Sequence, residues 1–258
     1  MDDLKLVIDY YQEYEEDKRL FRDNAHKIEF LTTVHYLDQF IKPNMRVLEV
    51  GAGTGIYSYY YANKGVQVTA FELVDKNINI LNEKLQYNAP IEIIQGDARD
   101  LSIFKENHFD VVLCLGPLYH LHSDKHKKQC INECLKVVKP NGLVAFSYIN
   151  NYMAFINEAL YDNRFLTIEN IDNMLDNFSI GGHFCFLNPD KIELLLNDFP
   201  FVIKHHIAVD GLNYTLKDSI NNFNDRTFNN WFYYHLRTCE DKSILGYSSH
   251  GLIVGNKR

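Results

Sequence analysis

Short apolar runs alternate with amphipathic stretches between residues 46 and 149. The runs RVLEV (46–50), VQVTAFEL (66–73), IEIIQ (91–95), FDVVLCL (109–115) and LVAFSYI (143–149) have the length and make-up of strands. Apolar residues dominate them instead of alternating strictly with polar ones, which fits strands covered on both faces. Between them, residues 56–63 and 75–87 predict helices, the second with Ile78, Leu81 and Leu85 on one side. Ser123 is placed to cap a third helix running to about Val138. Lys139-Pro140-Asn141-Gly142 predicts a turn before the fifth strand. Strand and helix repeated in this order predict an α/β domain with a parallel sheet.

The flanks follow a different rhythm. Leu4, Val7, Ile8 and Tyr11 form one helical stripe, Ile28, Leu31, Val34, His35 and Leu37 a second, and the charged stretch 13–23 links them. Lys42-Pro43-Asn44 marks a turn ahead of the first strand. Past Asn150, residues 151–178 predict helix, Gly181-Gly182 a tight turn or joint, 189–196 another helix and FVIKHHIAV (201–209) a strand. Residues 215–237 predict an aromatic-rich helix, and HGLIVGNK (250–257) a last strand. There is no internal repeat and no linker long enough to separate a pair of domains. The expectation is one domain over 1–258, with N-terminal helices in 1–40 and a core of 41–150 and 199–258. The core carries an aromatic-rich insertion at 211–247, and residues 151–198 form a second insertion.

Composition narrows the class. With 46% hydrophobic and 23% charged residues, the chain is not an intrinsically disordered one. No apolar run approaches the ~18–20 residues of a membrane helix. The acidic, polar N-terminal stretch MDDLKLVIDYYQEYEEDKRL resembles neither a signal nor a transit peptide, so a cytoplasmic protein without a membrane partner is expected. The net charge of −8 argues against nucleic acid, whose binders carry basic surfaces. Lys125, Lys127 and Lys128 read as the solvated face of a helix. The five cysteines contain no CxxC pair; Cys130 and Cys134 share a helix face and read as small apolar residues, so neither a disulfide framework nor a zinc site follows. None of these patterns fixes an oligomeric state.

The most informative segment is VLEVGAGTG (47–55), a strand running directly into Gly51-Ala52-Gly53-Thr54-Gly55 and then a helix. Such glycines permit a tight turn and a close ligand approach, and the helix start offers free N–H groups. A dinucleotide fingerprint would need glycine at position 56, which is Ile. Glu72 ends the second strand, where a carboxylate can accept both hydroxyls of a ribose. Asp97 follows the third strand in Gln95-Gly96-Asp97-Ala98, where it can meet an adenine amino group or simply cap a turn. All three features fall at the same edge of the sheet, where open α/β folds bind ligands.

These motifs resemble those of class I S-adenosylmethionine-dependent methyltransferases. VLEVGAGTG is similar to the family's first motif, Glu72 to its ribose acid, and Gly96-Asp97-Ala98 to its adenine-side motif. FDVVLCLGPLYHL (109–121) and LKVVKPNGLVAFSYI (135–149) resemble the fourth-strand motif and the turn into the fifth strand. The resemblance implies a Rossmann-like, seven-stranded, mostly parallel sheet with helices on both faces and an antiparallel last strand between the fifth and sixth. It implies S-adenosylmethionine as cofactor. Gly51, Ala52, Gly53 and Gly55 would pass its methionine part, with Glu49 supporting the loop from behind. Glu72 and the adjacent Leu73 would serve the ribose, Asp97 and Ala98 the adenine, and Leu115 and Gly116 the sulfonium end. The sequence Leu115-Gly116-Pro117-Leu118-Tyr119 departs from the Asn/Asp-Pro-Pro-Tyr element of amino-methylating members, which favours a small-molecule acceptor.

Tyr119 and His120 follow the fourth strand, near where the methyl would be delivered, and are the candidate catalytic residues; a histidine titrates near neutral pH, although it can also merely pack. His120, His122 and His126 lack acidic partners at a defined register, so no metal is expected. Tyr11, Tyr14, Tyr119, His183 and Trp231 are candidate acceptor contacts, and residues 1–24 with 151–190 a candidate lid. Two other readings remain open: a nucleotide-cofactor oxidoreductase on a similar sheet, and a non-catalytic module that binds S-adenosylmethionine.

Overall fold

The computed structural model describes residues 3–85 and 90–258. Its strands are β1 (Arg46–Val50), β2 (Gln67–Glu72), β3 (Glu92–Gln95), β4 (Phe109–Cys114), β5 (Val138–Ile149), β6 (Phe201–Ala208) and β7 (His250–Lys257). The helices are α1 (Asp3–Glu13), α2 (Asn24–Leu37), α3 (Ile56–Ala62), α4 (Asp75–Leu85), α5 (Asp124–Val137), α6 (Asn151–Tyr161), α7 (Ile168–Asp176), α8 (Pro189–Leu196), α9 (Lys217–Asn221), α10 (Asp225–Thr238) and α11 (Lys242–Leu245). The strands form one sheet in the order β3-β2-β1-β4-β5-β7-β6. β1 to β5 pair in parallel, and β7 runs antiparallel between β5 and β6. This is the Rossmann-like sheet that the motifs imply.

Successive strand residues feed opposite faces, as the two-residue period of a strand requires. In β4, Val111 and Leu113 pack into the cluster that includes Val34 of α2 and Tyr61 of α3. Val112 and Cys114 pack into the opposite cluster, with Ile131 of α5 and Ile192 of α8. Burial on both sides explains the apolar runs, at about 1.5–3 kcal/mol for each large side chain fully removed from water.

Where the structure departs from the sequence pattern, local hydrogen bonding is the reason. Residues 139–142 are not a turn before β5 but an excursion within it: Phe109 pairs with Val138 and Val111 with Leu143, and Asn141 takes a φ of +62°. The predicted helix over 151–178 breaks because Asp162 and Thr167 cap fresh turns, accepting from the backbone N–H of Arg164 and Asn170. The helix over 215–237 breaks because Asn224 caps α10 through Thr227 N–H. Residues 86 and 87, the end of the predicted fourth helix, lie outside the described residues. The linker at 13–23 contains a 3-10 turn, Glu16–Phe21, anchored by Leu20 at 2% exposure. No described helix is long and apolar enough to cross a membrane.

Candidate active site

The loop after β1 is stapled to the end of β2. Gly51 N–H and Ala52 N–H donate to Phe71 O at 2.8 and 3.2 Å, and Gly53 N–H donates to Glu72 Oε2 at 2.7 Å. Gly51 has a φ of +71°, and a Cβ there would lie 2.8 Å from Pro117 Cδ, so both conformation and space require glycine. The turn therefore brings the ends of β1, β2 and β4 together.

A cavity with about 960 Å³ of empty space, partly open to solvent, lies over this edge. Its walls come from Glu49 and Gly51–Thr54 after β1, Glu72, Leu73 and Asn77 around the end of β2, Gly96–Ala98 after β3, and Leu115–Pro117 with Tyr119–Leu121 after β4. Leu4, Val7 and Tyr11 of α1, with Glu16, Arg19 and Leu20 of the 3-10 turn, close the remaining side.

The two acids face this one cavity. Glu72 is 5% exposed; its Oε1 accepts Val74 N–H at 2.8 Å, and Asn77 Nδ2 stands 3.4 Å away. Burial raises its pKa, partly offset by the Val74 and Gly53 N–H groups. Asp97 Oδ1 accepts Arg99 N–H at 2.9 Å, and Oδ2 takes a forked pair from Arg99 Nε and Nη2 at 2.8 and 2.6 Å. Glu49 is buried, accepts from Ser58 Oγ, and is pushed up to about 8 by burial, so it is protonated at neutral pH.

Arg19 supplies a charged part of the cavity wall. It grips Glu29 through Nη1 and Nη2 at 2.7 and 3.1 Å, and Glu16 through Nε at 3.0 Å. Burial alone would raise Glu29, but the guanidinium overrides it and holds the carboxyl at about 2.

In the wall after β4, His120 Nδ1 lies 3.0 Å from the carbonyl oxygen of His183. A carbonyl can only accept, so Nδ1 carries the hydrogen and Nε2 presents its lone pair. Tyr11 OH donates to that Nε2 at 3.1 Å. Burial lowers His120 to about 4 and raises the Tyr11 and Tyr119 phenols, keeping all three neutral over a wide pH range.

Thirteen of the residues singled out in the sequence line the cavity: Tyr11, Glu49, Gly51, Ala52, Gly53, Glu72, Leu73, Asp97, Ala98, Leu115, Gly116, Tyr119 and His120. Four do not. Gly55 begins α3 with a φ of +81°, where a Cβ would meet Leu81 Cγ at 2.9 Å; its glycine serves packing against α4. Tyr14 follows α1 and stacks on Tyr10 with ring centres 5.1 Å apart. His183 stacks on Tyr10 at 3.5 Å and reaches the site only through its carbonyl. Trp231 is placed elsewhere: it packs beside Ala25, Ile28 and Phe228 and donates to Asn213 Oδ1 at 2.7 Å, filling the seam between α2 and α10. The insertion 151–198 supplies no cavity wall; its Phe184 stacks on the His120 ring at 5.1 Å.

Sequence reasoning missed Glu16, Arg19, Thr54 and Asn77. The signal for the first two was Leu20, an apolar residue inside a charged run. Thr54 Oγ1 is buried without a hydrogen-bond partner among the described residues, at a wall of the cavity, as expected where a polar ligand completes the site.

Comparison with known proteins agrees with this geometry. A family model described as a methyltransferase domain matches residues 48–146. A Bacillus subtilis protein named as the methyltransferase YqeM is 28% identical over 120 residues, 46% of this chain and 48% of its own length. A ubiquinone biosynthesis O-methyltransferase from Shewanella halifaxensis is 27% identical over 201 residues, 73% of this chain and 80% of its own. The chain thus spans about half of the first relative and four fifths of the second. In structure, the N-methyltransferase NodS from Bradyrhizobium japonicum, solved with S-adenosyl-L-homocysteine, superposes with a TM-score of 0.61 over 99% of both chains at 12% identity, a likeness of fold. The glycine turn, the two acids at one crevice and the strand order agree with these relatives: residues 48–146 match a methyltransferase domain, and together the findings support a class I S-adenosylmethionine-dependent methyltransferase.

Proposed function

We propose that the protein moves a methyl group from S-adenosylmethionine to an oxygen atom of a small, largely apolar acceptor. The observation that carries the reading is that Glu72 and His120 line one cavity, with the lone pair of His120 Nε2 held toward the Tyr11 hydroxyl. The O-methyltransferase name of a relative that covers most of this chain supports oxygen as the acceptor atom.

The residues present fit the cofactor: Glu72 Oε2 retains a lone pair for a ribose hydroxyl, Asp97 and Ala98 suit the adenine, and Thr54 Oγ1 has no partner among the described residues. When bound, S-adenosylmethionine supplies an electrophilic methyl on a sulfonium. Leu4, Val7 and Leu20 exclude water, while Leu115 and Gly116 border the space where the acceptor is aligned. Alignment of this kind contributes about 7–11 kcal/mol to lowering a barrier. His120, neutral at physiological pH, takes the hydroxyl proton at Nε2, directly or through Tyr11, and the His183 carbonyl fixes the tautomer that can do so.

Binding and transfer are tested in turn. Calorimetry should detect S-adenosylhomocysteine binding without NAD binding. Labelled methyl should then pass to simple phenols in preference to amines or carboxylates; a preference for amines overturns the oxygen assignment. Residues 1–24 should act as a lid, so S-adenosylhomocysteine should slow tryptic cleavage at Lys18 and Arg22. Unchanged cleavage would count against the lid.

A further inference from the structure

On the α5 side of the sheet lies a group of side chains that methyl transfer leaves unused. Cys114 is the last residue of β4, and Cys130 and Cys134 lie one turn apart on α5, which packs across it. All three are at 0% exposure, and none is in a disulfide. Their sulfurs lie within 4.8 Å of one another, with Cys114 Sγ and Cys130 Sγ 3.8 Å apart. In sequence the helical pair reads as small apolar filler; it is the fold that delivers a third sulfur to the same point.

A shared ion fixes the spacing of the sulfurs that bind it. Sulfur–metal bonds of about 2.3 Å put three sulfurs ~4.0 Å apart around a trigonal ion and ~3.8 Å apart around a tetrahedral one. The 3.8 Å between Cys114 Sγ and Cys130 Sγ agrees with these values, and the third sulfur lies within 4.8 Å of both. Among the described residues, no histidine, aspartate or glutamate joins the group. Complete burial also leaves no solvent to supply a fourth ligand. Structural zinc is almost always four-coordinate, whereas soft thiolate sets suit Cu(I). We propose that Cys114, Cys130 and Cys134 form a three-coordinate thiolate site for monovalent copper.

Two consequences follow from the position. Thiols bind a metal ion as thiolates, so loading must expel protons and strengthens as pH rises. The ion would also tie the end of β4 to α5 directly behind Leu115 and Gly116, which line the cavity.

The test uses the full chain, reduced and metal-free. It is exposed anaerobically to Cu(I) held by a chromophoric chelator, for hours or during refolding so that the buried site can load. One copper per chain should leave the chelator, and X-ray absorption should show three sulfur neighbours. Cys130→Ser and Cys134→Ala should each weaken retention at least tenfold, while Cys185→Ser and Cys239→Ser should not. Circular dichroism on the metal-free variants checks folding, and the absorption spectrum of the unmutated protein stands independently of them. Copper remaining with the chelator, fewer than three sulfur neighbours, or a zinc arm that retains Zn(II) more tightly than Cu(I) would each overturn the assignment.

Discussion

Replacing Glu72 by Gln removes one charge and one acceptor atom at the point where β1 and β2 meet. In the wild-type chain Glu72 Oε2 receives Gly53 N–H and Oε1 receives Val74 N–H, at 2.7 and 2.8 Å. A carboxylate offers about four lone-pair sites; Oε1 also faces Asn77 Nδ2 at 3.4 Å, so the clearest room for a ribose hydroxyl is on Oε2. Hydrogen bonds to a charged group contribute about 1.5–3 kcal/mol each. The amide keeps one oxygen and turns an NH2 toward a backbone N–H, so at least one ribose contact and its charge assistance are lost. A loss of ~3 kcal/mol corresponds to a fall in affinity of roughly 100-fold. Titration calorimetry with S-adenosylhomocysteine measures it directly. The fold should tolerate the change: burial raises the Glu72 pKa, so ionising it is a cost to the folded state at neutral pH and a neutral residue relieves that cost. The metal-free, ligand-free Tm should therefore fall by no more than a few degrees. An affinity within threefold of wild type, at an unchanged Tm, would refute the assignment of Glu72 to the ribose and with it the placement of the cofactor.

Glu49, protonated up to about pH 8, should ionise when the cofactor's ammonium docks beside it; calorimetry in buffers of different ionisation enthalpy should show close to one proton released at pH 7, little by pH 9.5, and none in Glu49→Gln. His120→Asn should lower kcat by about 10²–10⁴-fold while S-adenosylhomocysteine affinity stays within threefold. Because the folded pKa of His120, about 4, lies below the unfolded value, the unfolded chain binds more protons between the two; stability tied to this residue should fall as pH drops from about 6.5 toward 4, and the variant should flatten that part of the Tm–pH curve. Arg19→Met leaves Glu29 buried without its partner at a cost of about 3–5 kcal/mol, or roughly 6–20 °C in Tm by calorimetry, and Arg19→Met with Glu29→Gln should recover most of it.

The parallel half of the fold was legible because its strands are buried on both faces and therefore carry apolar runs that turns and caps separate cleanly. Val112 and Leu113 must both be apolar since they enter opposite cores. The cofactor edge was legible for a related reason: a parallel sheet ends its strands at one edge, so Gly53, Glu72 and Asp97 converge whatever the rest of the chain does. The charged side of the cavity wall was not legible. Arg19 gains its meaning from Glu29, on another helix, and a charged run gives no sign of which charges will be buried. Trp231 was misplaced because an aromatic at helical spacing looks the same whether it faces a ligand or a neighbouring helix. The sulfur group behind the cavity was equally hidden, since the pairing of β4 with α5 is a product of tertiary packing.

The position of β7 bears on how the chain is made. As translation proceeds, β1 to β6 leave the ribosome before the strand that must sit between β5 and β6. Until residues 250–257 emerge, β6 has no partner in the sheet and the facing edge of β5 is bare. A stop codon at position 250 removes an interior strand, not an edge, and nascent chains stalled there should expose open strand edges to chaperones.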